Sequence, residues 1–173
     1  LHTEGSGEAV LAQDALLEKH ASHWLVREMR LLQRRVLKRL DVTARTFYAL
    51  VEPGSCFAGV LAELLWAADR AYMLDDPEKP TQIALGVANA GFMLMSNGLT
   101  RLETRFLAEP ERVRVALAHK GPLDAADALK AGLVTFTPDD IDWEDELRVA
   151  IEERASLSPD ALTGMEANLR FAG

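Results

Sequence analysis

The sequence predicts an α/β fold in which short strands pack with several helices. Three observations carry this. A β-rich run at 46–51, TFYALV, leads into a turn at Pro53-Gly54 and a corner of small residues at 55–59. A helix over 60–68 follows that is apolar almost all round, as interior helices are. Further on, Asp124 can cap a helix over 124–131 that Gly132 stops, with a strand at 134–136 beyond it.

The 173 residues suffice for one domain with a real core, and 49% of them are apolar. A net charge of −8 argues against a nucleic-acid binder. The single cysteine, Cys56, cannot form an internal disulfide, which suits a cytoplasmic protein. No apolar run is long enough to span a bilayer, so no membrane partner is expected.

Taken in order, residues 1–14, LHTEGSGEAVLAQD, read as the end of a strand entering an exposed loop. The opening implies a single domain over 1–173 that is a piece of a longer chain, without its upstream strands or its C-terminal part. A helix follows at 22–40, where Leu25, Met29, Leu32, Val36 and Leu40 lie 4, 3, 4 and 4 apart on one apolar face. Arg27, Arg30, Arg34 and Lys38 make the opposite stripe, read as a solvated or subunit-facing surface, with phosphate binding as the alternative. His20 and His23 suit caps or surface positions, and no metal site is expected.

Residues 70–74 read as a strand, 75–80 as a turn-rich loop, and 81–85 as another short strand. A short helix is expected at 110–117. The acidic run at 139–146 favours the N-terminus of a helix over 143–155. Ser158-Pro159 opens a last helix over 159–169.

The corner also suggests chemistry. Backbone N–H groups at the start of a helix have no partner inside it and can point at a developing anion. Glu63 is the one carboxylate near the start of the apolar helix, and Asp69 closes it. A buried carboxyl with a raised pKa could carry protons, or it could be a structural acid paired with an arginine.

The stretch AGVLAELLWAADRAYM, with Glu63 and Asp69 in place, resembles the glycine-rich corner and E-L-A-x-x-x-D helix of the crotonase (enoyl-CoA hydratase/isomerase) superfamily. Residues 86–105 resemble its P-E-x-x-x-G-x-x-P-x-x-G-G-x-x-R-L segment, with Gly91, Gly98, Arg101 and Leu102 in register. Val87 stands where hydratases place a second catalytic Glu, and Leu94 stands where Pro is usual. Residues 121–134 resemble the element G-x-x-x-D/S-A-x-x-A-x-x-x-G-L-V. Residues 1–14 resemble the F-x-x-G-x-D loop, with Asp14 at the Asp position and Ala12 in place of the usual Gly.

Within the superfamily, RLDVTARTFYALVEPGSCFAG at 39–59 and the stretch 132–171 are closest to the benzoyl-CoA-dihydrodiol lyase family. That family is also described as 2,3-epoxybenzoyl-CoA dihydrolase, and the likeness is to the second of its two crotonase-like segments. The resemblance implies a partial crotonase-type fold. It also implies an acyl-CoA thioester substrate, no separate cofactor (coenzyme A being part of the substrate), and a homo-oligomer. The reaction it implies is ring opening with addition of water and release of formate, in aerobic benzoate breakdown.

Carried residue by residue, the resemblance makes Glu63 the catalytic carboxyl. It makes the backbone N–H groups of Gln13 and Val60, with Gly59 beside them, the oxyanion donors. It names no substrate-contacting side chain. Val87 removes the two-glutamate hydratase mechanism, because valine transfers no proton. A non-catalytic module that supports a catalytic segment is the standing alternative, and a generic hydratase or isomerase is the other.

Overall fold

The computed structural model describes residues 1–170; Phe171 of the lyase-like stretch and the chain end at Gly173 lie outside the described residues. The expected β-rich run forms β1, Tyr48–Val51, and the run after the apolar helix forms β2, Arg70–Met73. They pair in parallel, Tyr48 beside Arg70 through Val51 beside Met73. Parallel neighbours need a crossover connection, and an apolar helix Gly59–Ala67 lies within it. Ala62, Leu65 and Trp66 of that helix enter one core with Ala49, Val51, Ala71 and Met73.

A third strand at 134–136 reduces to a single parallel bridge, Tyr72 to Phe136. The physical reason is local. Thr135 Oγ1 accepts the Ala71 N–H at 3.0 Å, and the N–H groups of Thr135 and Phe136 both converge on the Ala71 carbonyl. A side chain has taken a ladder position, so no regular ladder propagates. The expected strand at 81–85 likewise survives as two bridges, Ala84 to Ala58 and Ile83 to Leu123.

Eight α-helices are described among these residues. In chain order they are α1 (Gly7–Lys19), α2 (Trp24–Asp41), α3 (Gly59–Ala67), α4 (Arg101–Arg105), α5 (Glu111–Ala118), α6 (Ala125–Lys130), α7 (Trp143–Ala155) and α8 (Pro159–Arg170). The caps read from the sequence hold. The Asp124 carboxylate accepts from the Asp127 N–H at 2.8 Å, Ser158 Oγ accepts from the Ala161 N–H at 3.2 Å, and Gly132 takes φ +73 after α6. Arg154 of α7 meets the buried Glu166 of α8 at 2.7 Å, and Tyr48 donates to the Ala150 carbonyl at 3.2 Å, which fastens these helices to the sheet.

Two expectations are corrected. The exposed loop at 1–14 is helical from Gly7, with Ser6 as its cap accepting the Ala9 N–H at 3.3 Å. Beyond the cap, Leu11, Asp14 and Leu17 recur three apart and turn toward the molecule, which outweighs the glycines in front of them.

The second correction concerns how α2 faces. Its apolar stripe, Leu25, Met29, Leu32 and Val36, is exposed, while Arg30, Arg34 and Lys38 are half-buried with Leu37 inside. Arg30 is drawn inward by two partners: it pairs with Glu18 of α1 and stacks 4.1 Å over the Phe92 ring.

Candidate active site

The corner at the start of α3 is the place to build from. Gly59 takes φ +47, a left-handed conformation open to glycine, and it lets Asp14 of α1 approach closely. A Cβ at Gly59 would collide with an Asp14 carboxylate oxygen. That oxygen accepts the Val60 N–H at 2.7 Å, while the Gly59 N–H donates to the Ala84 carbonyl at 3.0 Å. Gln13 lies inside α1, where backbone N–H groups are used along the helix. Of the three expected donors, the two at α3 are therefore occupied by groups of the chain itself. Burial pushes the Asp14 carboxyl up, opposed by the Val60 N–H and the charge of Arg30.

One turn into α3, Glu63 is 1% exposed. One oxygen accepts from Asn89 Nδ2 at 2.8 Å, and the other meets Arg101 Nη1 at 2.9 Å. Arg101, from the first position of α4, holds Asp41 at the end of α2 with a two-pronged contact, Nε to Oδ1 at 3.0 Å and Nη2 to Oδ2 at 2.7 Å. Asn89 also donates to the Gly59 carbonyl at 2.9 Å and accepts the Gly86 N–H at 2.8 Å. All four side chains are buried. The network thus joins α2, α3, the 86–89 turn and α4, with each Glu63 oxygen given a donor. Burial pushes the Glu63 carboxyl up; the Asn89 hydrogen bond and Arg101 oppose this.

Val87, at the position of the absent second glutamate, is partly exposed on a short 3₁₀ turn. Asp69 accepts the Phe47 N–H at 2.6 Å and so ties the end of α3 to the entry of β1. Asp41 and Asn89 are the members that sequence reasoning missed. They lie 60 and 12 residues from Arg101, and no local spacing connects them. The only available signal was the buried acid itself, which requires a cation from somewhere. Among the described residues, no group of three or more metal-ligating side chains comes together. No helix among them is long and apolar enough to cross a membrane.

No family model matches the chain. A benzoyl-CoA-dihydrodiol lyase of Aromatoleum evansii is 52% identical over 172 residues, which is 99% of this chain and 31% of the lyase. The chain therefore spans about a third of the length of the curated relative it matches. Among solved structures, Pseudomonas aeruginosa AtuE superposes with a TM-score of 0.66 at 21% identity, covering 88% of this chain and 56% of that one. An enoyl-CoA hydratase/carnithine racemase from Magnetospirillum magneticum gives 0.65 at 15% identity, covering 86% and 55%. An enoyl-CoA hydratase/isomerase family member gives 0.60 at 18%, covering 78% and 49%. At these identities the likeness is one of fold. The chain has the crotonase fold of the enoyl-CoA hydratases, over about half the length of such a domain.

Proposed function

We propose that this chain is one segment of a lyase acting on the dihydrodiol or epoxide of benzoyl-CoA, and that its own corner supports the fold rather than the chemistry. The lyase part rests on the identity to the Aromatoleum evansii enzyme over nearly the whole chain. An acyl-CoA thioester substrate, no separate cofactor and a cytoplasmic setting belong to the same proposal; the buried free Cys56 is in keeping with the last.

The supporting role rests on one observation: the donor that would receive an oxyanion already holds a carboxylate. A thioester carbonyl gathers negative charge as it enolises, and preorganised N–H donors stabilise that charge by about 3 kcal/mol each. Here Val60 donates to Asp14 and Gly59 to Ala84. An oxyanion at this corner would meet the Asp14 carboxylate, and the two negative charges would repel.

Glu63 fits the same role. Its oxygens are committed to Arg101 and Asn89, so proton transfer would require breaking a buried, fully satisfied network. A second reading keeps Glu63 as proton carrier, and the rise in its pKa favours it. The two are separated by titrating a non-reactive benzoyl-CoA thioether analogue into the nitrogen-15-labelled chain and following the Val60 amide. The supporting role predicts an unmoved Val60 resonance. A saturable shift at Val60 would assign the corner to thioester binding.

A further inference from the structure

Two cavities at the C-terminal end of α3 share Arg105 and Asp69 in their walls. The first, about 230 Å³, is also lined by Trp66, Met95 and Thr104. The second, about 420 Å³, is also lined by Phe106, Arg112 and Gly132. Neither Val60 nor Glu63 borders them, so they are distinct from the corner at the other end of the helix. Asp41 and Arg101 reach the first cavity but are committed to each other.

The charges at the shared wall are held there by contacts within the chain. Arg105 of α4 is half-buried, and its Nε donates to the Gly132 carbonyl at 2.5 Å. Arg112 of α5 comes to the same glycine: a Cβ at Gly132 would stand 2.6 Å from Arg112 Nη2. The Phe106 ring lies 4.8 Å from the Arg112 guanidinium and steadies it. Two like charges therefore converge on one residue. Glu109 approaches Arg112 only to 3.6 Å, and no carboxylate among the described residues pairs with Arg105. Burial first, and then the charge of Arg112, hold the Arg105 pKa below the ordinary arginine value. Asp69, the acid on the shared wall, accepts the Phe47 N–H.

Trp66 adds a second, independent sign. It is 8% exposed, and its buried indole N–H has no acceptor among the described residues. A buried donor without an acceptor is rare and calls for one. In a chain of net charge −8 the overall field repels anions, so only a local pair of cations could gather one. Guanidinium groups match the oxygens of phosphate, which carries about two negative charges at neutral pH and so answers both arginines at once.

We propose that Arg105 and Arg112 form a binding site for a phosphate group at the end of α3, beside the unpaired indole N–H of Trp66. The site is independent of the corner and of the reaction assigned to the chain.

Equilibrium dialysis of radiolabelled inorganic phosphate against a lyase that carries this segment tests it, with chloride holding the ionic strength constant. One saturable phosphate per chain is expected at this site. Arg105→Gln should weaken it by about tenfold or more, and Arg112→Gln by a few-fold. Saturating benzoyl-CoA should leave it in place, whereas it would displace phosphate from a coenzyme A site. Far-ultraviolet circular dichroism checks the fold, and Arg112→Gln, which changes a partly exposed side chain, decides the matter if Arg105→Gln does not fold. No saturable binding to the wild type would overturn the proposal, as it must if a carboxylate from elsewhere in the polypeptide fills the site. Binding that survives both substitutions, or that benzoyl-CoA displaces, would overturn it equally and place the phosphate elsewhere.

Discussion

Helices α2 and α3 invert each other. α3 is apolar in sequence, and its one carboxylate, Glu63, is sealed inside with Arg101, Asp41 and Asn89. α2 is amphipathic in sequence, and it turns its apolar stripe outward and part of its basic stripe inward. A periodic pattern says which residues share a face; it does not say which face is covered. Coverage is decided by specific partners. Arg30 gains Glu18 and the Phe92 ring on the inner side of α2, and Glu63 gains two donors inside α3.

The contrast can be broken first at its polar centre. Arg101→Met would leave Asp41 and Glu63 buried together without their cation. Removing one partner of a buried ion pair costs about 3–5 kcal/mol, and that loss is expected in urea unfolding. A loss below about 1 kcal/mol would show that water reaches the network.

Within α2, the contrast is between two leucines. Leu37 is buried, and truncation to Ala should cost about 2–5 kcal/mol. Leu32 is exposed, and Leu32→Ala should stay within about 0.5 kcal/mol. Equal costs from the same denaturation experiment would mean that Leu32 has a partner within the chain.

Gly59→Ala probes the close approach of α1 to α3. A left-handed backbone angle and a collision with Asp14 should together cost about 1–3 kcal/mol. In an Asp14→Ala background the collision is gone, and part of that cost should return. An identical cost in both backgrounds would assign it to the backbone alone.

A smaller effect concerns pH. The Asp14 carboxyl is raised in the folded chain, so between its unfolded and folded pKa the native state holds more protons than the unfolded one. Stability from this group is therefore fully present below the unfolded value and is lost as pH rises through the folded value. Asp14→Asn should flatten that part of the profile, because the amide oxygen still accepts the Val60 N–H but does not titrate. Unfolding curves of both proteins from pH 4 to 8 check this. Parallel profiles would contradict it.

What the sequence made legible follows from local rules. α3, α6 and α7 were readable because a corner, a cap or an acidic first turn marks each start, and β1 because aromatic and β-branched residues cluster at 46–51. α1 was not, because Gly5 and Gly7 beside Ser6 resemble a loop until Asp14 is seen to meet Val60. Glu63 and Arg101 both stood out in the sequence, and pairing of Glu63 with an arginine was one of its two expected roles. The bridge between them needed the fold, since residues 41, 63, 89 and 101 converge only through tertiary packing.

The most direct measurement is Glu63→Gln in a lyase that carries this segment, with ring-opening rate and melting temperature taken on the same preparation. A supporting role predicts a rate within a few-fold of wild type and a lowered melting temperature, because the Gln side chain cannot satisfy Arg101 and Asn89 as the carboxylate does. A rate lower by about 100- to 10,000-fold with an unchanged melting temperature would contradict it and make Glu63 the proton carrier.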